Sequence, residues 1–334
     1  MKRHALLALL AWPLWAQALQ VTDDLGQAVE LPAPAQRIAE GWYAHQVLLL
    51  TLGAGGRIVA TVNHAHDHPW MFRVQPAQRQ ALQVEGRTFN VEQLLAQRVD
   101  LAFLSGNDRQ GPALQQAGIA VMHMGFDDFA GLQRSLLATA HALGDGPALA
   151  RAEAYNAWLA QTLGEVRQRL GPLTPAQRPR VLHLASLEPL KADGDGTLVE
   201  QWIQLAGGRN AAEGLHGNLQ AVSAEQVLAW NPDVIIVAAQ ASNALGKPGF
   251  AWLKLTGAGQ AGKLLRNPEG VFPWERYGTE VGLQVPWAAQ QLHPARFAGQ
   301  NMAALAQGFY QRFFDYPLTA EQAESLLTPA GFRR

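Results

Sequence analysis

The stretch "VEQLLAQRVDLAFL", residues 91–104, returns later in the chain as "AEQVLAWNPDVIIV", residues 224–237. Both carry Glu-Gln, two aliphatic positions and Ala in a short helical segment, then Asp, then an apolar run suited to a buried strand. A chance match of common helix formers is the competing reading. Because the helix start and the strand after it both recur, a duplicated lobe is the better inference, and two similar lobes facing each other create a cleft.

Outward from these repeats the chain alternates strand and helix. "RIAEGW", "RIVATV", "DLAFLSG" and "AVMHMG" read as strands, with helices expected at "AHQVLLLTLGAG", "VEQLLAQR" and "FAGLQRSLLATAHALG". In the second half, "RVLHLAS", "DVIIVAA" and "GVFPW" are strand candidates, with helices at "LVEQWIQLAGG", "AEQVLAWNP" and "GTEVGLQVPWAAQQLHP". Pro286 is expected to kink the last of these. A polar turn at Gly26 within "VTDDLGQAVELP" suggests an opening hairpin, and "NMAALAQGFYQRFFDYPL" a terminal helix packed on the second lobe.

Between the halves, Ala152, Tyr155, Leu159, Leu163, Val166 and Leu170 fall three or four apart, the spacing of one helical face. Such a rod would be about 35 Å long, and Pro172, Pro175 and Pro179 end it. The pattern predicts α/β architecture: two Rossmann-like lobes with mostly parallel sheets, residues 19–146 and 172–334, joined by one long α-helix over 147–171. A single stiff connection implies a mostly preformed groove with small closure.

Residues 1–18, "MKRHALLALLAWPLWAQA", read as a signal peptide, cleaved after Ala18 at a small-x-small site. The expected location is the periplasm. The chain has no cysteine, which excludes disulfides and a lipid anchor on a cysteine at the cleavage point. Of the 26 basic residues Lys2 and Arg3 lie in the leader, leaving 24 against 27 acidic, a balance that gives no reason to expect nucleic acid.

The opening hairpin followed by "QRIAE", then "LGAGGRIVATV", "EQLLAQRVDLAFLSG", the rod, "LAGGRNAAE" and "EQVLAWNPDVIIV" together resemble a periplasmic solute-binding protein of the class joined by one long helix. That group serves ABC importers of siderophores, haem, vitamin B12 and some metal complexes. The resemblance implies a monomer that delivers its ligand to an inner-membrane permease and its ATPase. It also implies one docking carboxylate per lobe, at the start of the repeated helix, which here are Glu92 and Glu225. A helix N-terminus favours an acidic residue in any case.

Ligands of open α/β sheets gather beyond the carboxyl ends of the strands. Four such loops carry unusual side chains: "GWYAHQ" with Trp42, Tyr43 and His45; "NHAHDHPW" with His64, His66, His68 and Trp70; "SGNDRQ" with Arg109; and "PWERYG" with Trp274, Arg276 and Tyr277. Rings and guanidinium groups suit a bulky anionic ligand, although the tryptophans could equally cap lobe cores and the arginines pair with Asp108 and Glu275. His64, His66 and His68 are candidate ligands to a metal, or partial completers of a metal complex containing iron, cobalt or nickel.

The expected function is capture of an iron-siderophore or other metal chelate, with no intrinsic cofactor and no catalysis. An exported metal-dependent hydrolase using His45, His66 and Glu275 is one alternative, but the chain has no HExxH, G-x-S-x-G or phosphate loop with its lysine. A periplasmic metal buffer or chaperone is the other.

Overall fold

The computed structural model describes residues 18–328. The expected leader, apart from Ala18, lies outside the described residues. Among the described residues no helix is long and apolar enough to cross a membrane.

The chain opens with an antiparallel hairpin, β1 (Leu19–Thr22) and β2 (Ala28–Leu31). Gly26, at φ +78°, makes the turn between them. The first lobe then runs β3 (Ile38–Glu40), α1 (His45–Thr51), β4 (Ile58–Thr61), α2 (Pro69–Val74), β5 (Leu82–Gln83), α3 (Val91–Ala96), β6 (Leu101–Ser105), α4 (Gly111–Gln116), β7 (Ala120–Met124) and α5 (Phe129–Leu143). Its five strands are all parallel, in the order β5-β4-β3-β6-β7.

Helix α6 (Gly146–Leu170) joins the lobes. Asp145 caps its start by accepting from the Ala148 N–H at 2.7 Å, and Arg167 and Arg169 lie in its last turn, where cations suit the helix dipole. Ala152, Tyr155, Leu159, Val166 and Leu170 are buried as their spacing predicts, while Leu163 is half-buried.

The second lobe runs β8 (Arg180–Leu187), β9 (Leu190–Ala192), α7 (Leu198–Leu205), β10 (Arg209–Asn210), β11 (Gln220–Ala221), α8 (Ala224–Trp230), β12 (Val234–Val237), α9 (Gly257–Gln260), β13 (Leu264–Arg266), α10 (Val281–Leu292), α11 (Met302–Phe313) and α12 (Ala320–Leu327). Its sheet order is β11-β9-β8-β12-β13, with β10 also on β8. β10, β12 and β13 are parallel to their partners; β9 and β11 are antiparallel.

The repeat detected in the sequence is a structural repeat. In each lobe its strand (β6 or β12) lies parallel beside the lobe's first sheet strand (β3 or β8). Its aspartate does one job twice: Asp100 accepts from the Gln36 and Arg37 N–H groups, and Asp233 accepts from the Arg180 N–H at 2.7 Å. Each thereby pins the neighbouring strand's start to its own.

"GVFPW" is a correction: residues 270–274 form an irregular loop, not a strand, and the strand paired to β12 is β13. Pro273 removes a ladder donor, and the Val271 and Phe272 N–H groups are satisfied by Glu280 instead. Helix α10 continues through Pro286, enclosed by protein from Val281 to Ala289. Gly282 lets Trp158 of α6 press against α10, since any Cβ there would collide with the indole.

One apolar core extends through the first lobe, α6 and much of the second. Helix α11, expected to be terminal although α12 follows it, packs Phe309 and Phe313 on Tyr155 and Trp158 of α6, so it braces the connecting rod as well as the second lobe. Thr51 Oγ1 and Thr279 Oγ1 are 2.7 Å apart across the lobes, Tyr155 donates to the Thr279 carbonyl, and Arg151 Nε donates to the Thr51 carbonyl. These bonds tie α1, α6 and the start of α10 into one unit, as a groove with small closure requires.

Candidate functional site

Loops from both lobes meet where the sequence places the cleft. After β3 the chain turns at Gly41, where a Cβ would strike Leu104. The Trp42 N–H donates to Glu40 Oε1 at 2.9 Å, which fixes Trp42 at the strand end. The Trp42 ring lies 5.6 Å from Phe126, in the loop after β7, and 6.1 Å from Tyr277 of the second lobe, and Phe126 and Tyr277 are 5.5 Å apart. Three rings thus form a closed cluster that spans the gap. Tyr277 is held by Asn218, whose Nδ2 donates to its hydroxyl at 2.5 Å.

Beside this cluster, Tyr43 lies under the Arg87 guanidinium at 5.0 Å, and its carbonyl accepts from Asn63 Nδ2. His64 follows Asn63. Its Nε2 is 3.2 Å from the Val84 carbonyl, which can only accept, so Nε2 is the donor in this bond and Nδ1 is the ring nitrogen it leaves over. The His66 ring is 5.2 Å away and its side chain 70% exposed.

His68 has turned inward against Phe272 of the opposite lobe at 4.9 Å, and burial lowers its pKa to about 4. The three histidines therefore do not converge, which corrects the expected metal site: Pro69 starts α2 and draws His68 to the lobe contact. Among the described residues no group of three or more His, Cys, Asp or Glu is placed to hold a metal.

Other expected ligand contacts are internal. His45 is fully buried, its Nδ1 2.7 Å from Glu40 Oε2 and its Nε2 2.9 Å from Thr139 Oγ1; as the first residue of α1 it turns beneath Trp42. Trp70 is buried edge-on to Tyr310 and Tyr316. Trp274 is buried, with Nε1 donating to Glu280. Arg109 is exposed on the first lobe. Arg276 makes two bonds to Asp193, at 3.0 and 3.2 Å, so its charge is matched within its own lobe by a residue other than the expected Glu275.

Asp193 organises the second lobe's side of the cleft, and sequence reasoning missed it because it follows β9, an antiparallel strand with no clear pattern. Despite burial, bonds from His183 (2.6 Å) and Arg276 hold its carboxyl well below the usual range. Glu275 lies behind it, with burial pushing its pKa up to about 8 against the opposing Arg276, and Asn267 donates to it at 2.5 Å. Glu280 is raised to about 7 by burial, although it accepts from Tyr310, Phe272, Val271 and Trp274. Phe126 was also missed, although it stands directly after a predicted strand end.

These carboxyls set a pH dependence. Glu275 and Glu280 keep protons in the folded chain that they release when unfolded, so their contribution to stability is complete below pH 4.5 and is lost as pH rises through about 7 to 8. His68 has the opposite effect, because the unfolded chain takes up its proton between pH 6.5 and about 4. Stability is expected to rise as pH falls from 8 to 6.5, by roughly 2 kcal/mol for one such group, and then to rise less steeply toward pH 4.5, where His68 opposes the two glutamates. Calorimetry across this range checks it. Glu275→Gln should remove most of the slope.

Two α/β lobes of like plan, one rigid helix between them and a polar, aromatic cleft across the gap define a two-lobed solute-binding protein. The chain belongs to the periplasmic binding protein family, whose sequence model matches residues 43–263. Members serve ABC transporters. The chain is 27% identical over 154 residues to the molybdate-binding protein MolA of Haemophilus influenzae, a match spanning 44% of this chain and 42% of that relative.

Solved structures share the fold across nearly the whole chain. A periplasmic solute-binding protein from Veillonella parvula superposes with a TM-score of 0.78 at 20% identity, covering 93% of this chain and 97% of that one. The structure of MolA from Haemophilus influenzae bound to molybdate gives 0.78 at 20%, covering 90% and 99%. Helicobacter pylori CeuE with Ni(II) gives 0.73 at 18%, covering 92% and 99%.

Proposed function

We propose that the protein captures a metal chelate in the periplasm and delivers it, as a monomer, to an ABC permease. The observation that carries this reading is the ring cluster of Trp42, Phe126 and Tyr277, contributed by both lobes, beside a histidine pair at the mouth. Flat rings suit the organic faces of a chelator. His64, with Nε2 committed to a carbonyl, presents Nδ1 as the donor for an open coordination position on iron, cobalt or nickel. Glu92 and Glu225 are the proposed docking carboxylates. Both are exposed at the second residue of their helices, after the side-chain caps Asn90 and Ser223.

A bare oxyanion is the second reading, favoured by the likeness to a molybdate-binding protein. Arg109 and Arg87 would serve it. Iron(III) held by a tetradentate bis-catecholate, which leaves two coordination positions open, separates the two. His64→Ala is expected to weaken that chelate about tenfold and to abolish a shift of its charge-transfer band on binding. Tight binding of molybdate with no binding of the chelate would overturn the chelate reading.

A further inference from the structure

Leu219 combines two features that rarely coincide. Its φ is +58°, in the left-handed region that non-glycine residues seldom occupy, and its side chain is 51% exposed. A leucine there is strained without burial to offset the strain.

The surroundings fix this conformation. The Leu219 N–H donates to Asp193 Oδ1 at 2.8 Å, the same oxygen that accepts from Arg276. Asn218, the preceding residue, donates to the Tyr277 hydroxyl, and β11 begins at the next residue, Gln220. The segment is therefore built into the second lobe's edge of the cleft, contiguous with the ring that reaches Trp42 and Phe126. Glycine or asparagine would satisfy the backbone at lower cost. Neither would present an apolar side chain.

We infer that Leu219 is a ligand contact, an apolar lip that extends the Tyr277 face toward the organic skeleton of the chelate. The inference rests on the chelate reading above. It makes Leu219 a specificity residue: a chelator with carbon faces gains from it, whereas a small oxyanion has nothing to place against it.

The test uses the full mature chain, Leu219→Gly and Leu219→Asn, with two probes, the bis-catecholate iron(III) chelate and molybdate. Calorimetric titration is expected to show the chelate weakened about tenfold in both variants while any molybdate affinity is unchanged. The thermal midpoint of Leu219→Gly should stay level or rise, because the strain is relieved. Chelate affinity equal to that of the unsubstituted protein overturns the inference and leaves the chelate reading standing. Equal affinity with reduced cellular uptake would assign Leu219 to the permease and overturn it too. A midpoint lower by more than about 5 °C would make the residue structural. An unsubstituted protein that binds no chelate overturns the chelate reading together with this inference.

Discussion

Replacing Glu92 and Glu225 together by alanine is expected to reduce ligand uptake by whole cells to below about a tenth while ligand affinity changes less than about twofold. In a parallel βα unit the helix runs against the strands, so its N-terminus lies on the same side as the strands' carboxyl ends. Glu92 at the start of α3 and Glu225 at the start of α8 therefore stand on the cleft side of their lobes, one on each. Both side chains are exposed, and neither belongs to the ring cluster or to the Asp193 network, so their loss leaves the ligand's surroundings intact. Backbone N–H and Ser223 hydrogen bonds hold the Glu225 carboxyl below its ordinary pKa, which keeps it charged over the whole working range.

A merely helix-favouring role predicts otherwise. Loss of two exposed first-turn carboxylates would shift the melting point slightly and leave transport unaffected. The rigid unit formed by Thr51, Tyr155 and Thr279 fixes the separation of the two anions, so each should report on the other. Single variants are expected to lower uptake partially and the double variant to lose more than their separate effects suggest. Uptake measured with labelled chelate, alongside titration of the purified proteins, decides between the roles. Unchanged uptake would remove the docking assignment, and would favour a periplasmic buffer over a transport component.

How much of this was legible in the chain depends on which residues carry a periodic signal. The connecting helix was readable to within a residue at each end, because its apolar face repeats and Gly171 and the prolines stop it. The duplicated lobe was readable because Asp100 and Asp233 are needed for the same backbone bonds. Most of the short strands were not: β5, β10 and β11 have two residues each, and β9 and β13 three, too few for alternation to register, while the three-residue β3 was read from its place in the alternation of strand and helix.

The cleft was legible as a set of loops and much less so as side chains. Trp42, Tyr43 and His64 follow the ends of β3 and β4 as the strand-end rule expects, whereas Tyr277 reaches the ring cluster from a segment that follows no strand directly. His45, Trp70 and Trp274 belong to the same loops but turn inward, because Glu40, the Tyr310–Tyr316 pair and Glu280 supply partners on the core side. Sequence spacing places a residue after a strand; it does not say which side of the loop its side chain takes. That is decided by buried carboxylates far along the chain, such as Glu280, whose roles have no local signature.

The importance of Glu280 leads to the largest expected change in stability, produced by the smallest substitution. Gly270→Ala should lower the thermal midpoint by about 10 °C or more, a loss of roughly 4 kcal/mol. A Cβ at Gly270 would fall within the van der Waals radii of both Tyr310 Oη and Glu280 Oε1, so something must move. Neither neighbour can do so freely. Tyr310 is fully buried among Trp70, Phe309 and Phe314, and Glu280 is the shared acceptor for Val271, Phe272, Trp274 and Tyr310. Displacing the carboxylate strands buried donors, at about 1 to 3 kcal/mol each. The loop that carries Trp274 into the core also leads to Arg276 and Tyr277, so ligand affinity should fall with stability. Adding Tyr310→Phe removes one of the two collisions but not that with Glu280, so it should restore little. Gly164→Ala is the contrasting case: this exposed glycine of α6 has open space where a Cβ would go, and the substitution should raise stability by about 0.5 to 1 kcal/mol. Equal midpoints for the two alanine variants would show that the Glu280 hub yields without cost, contrary to the argument from its buried donors.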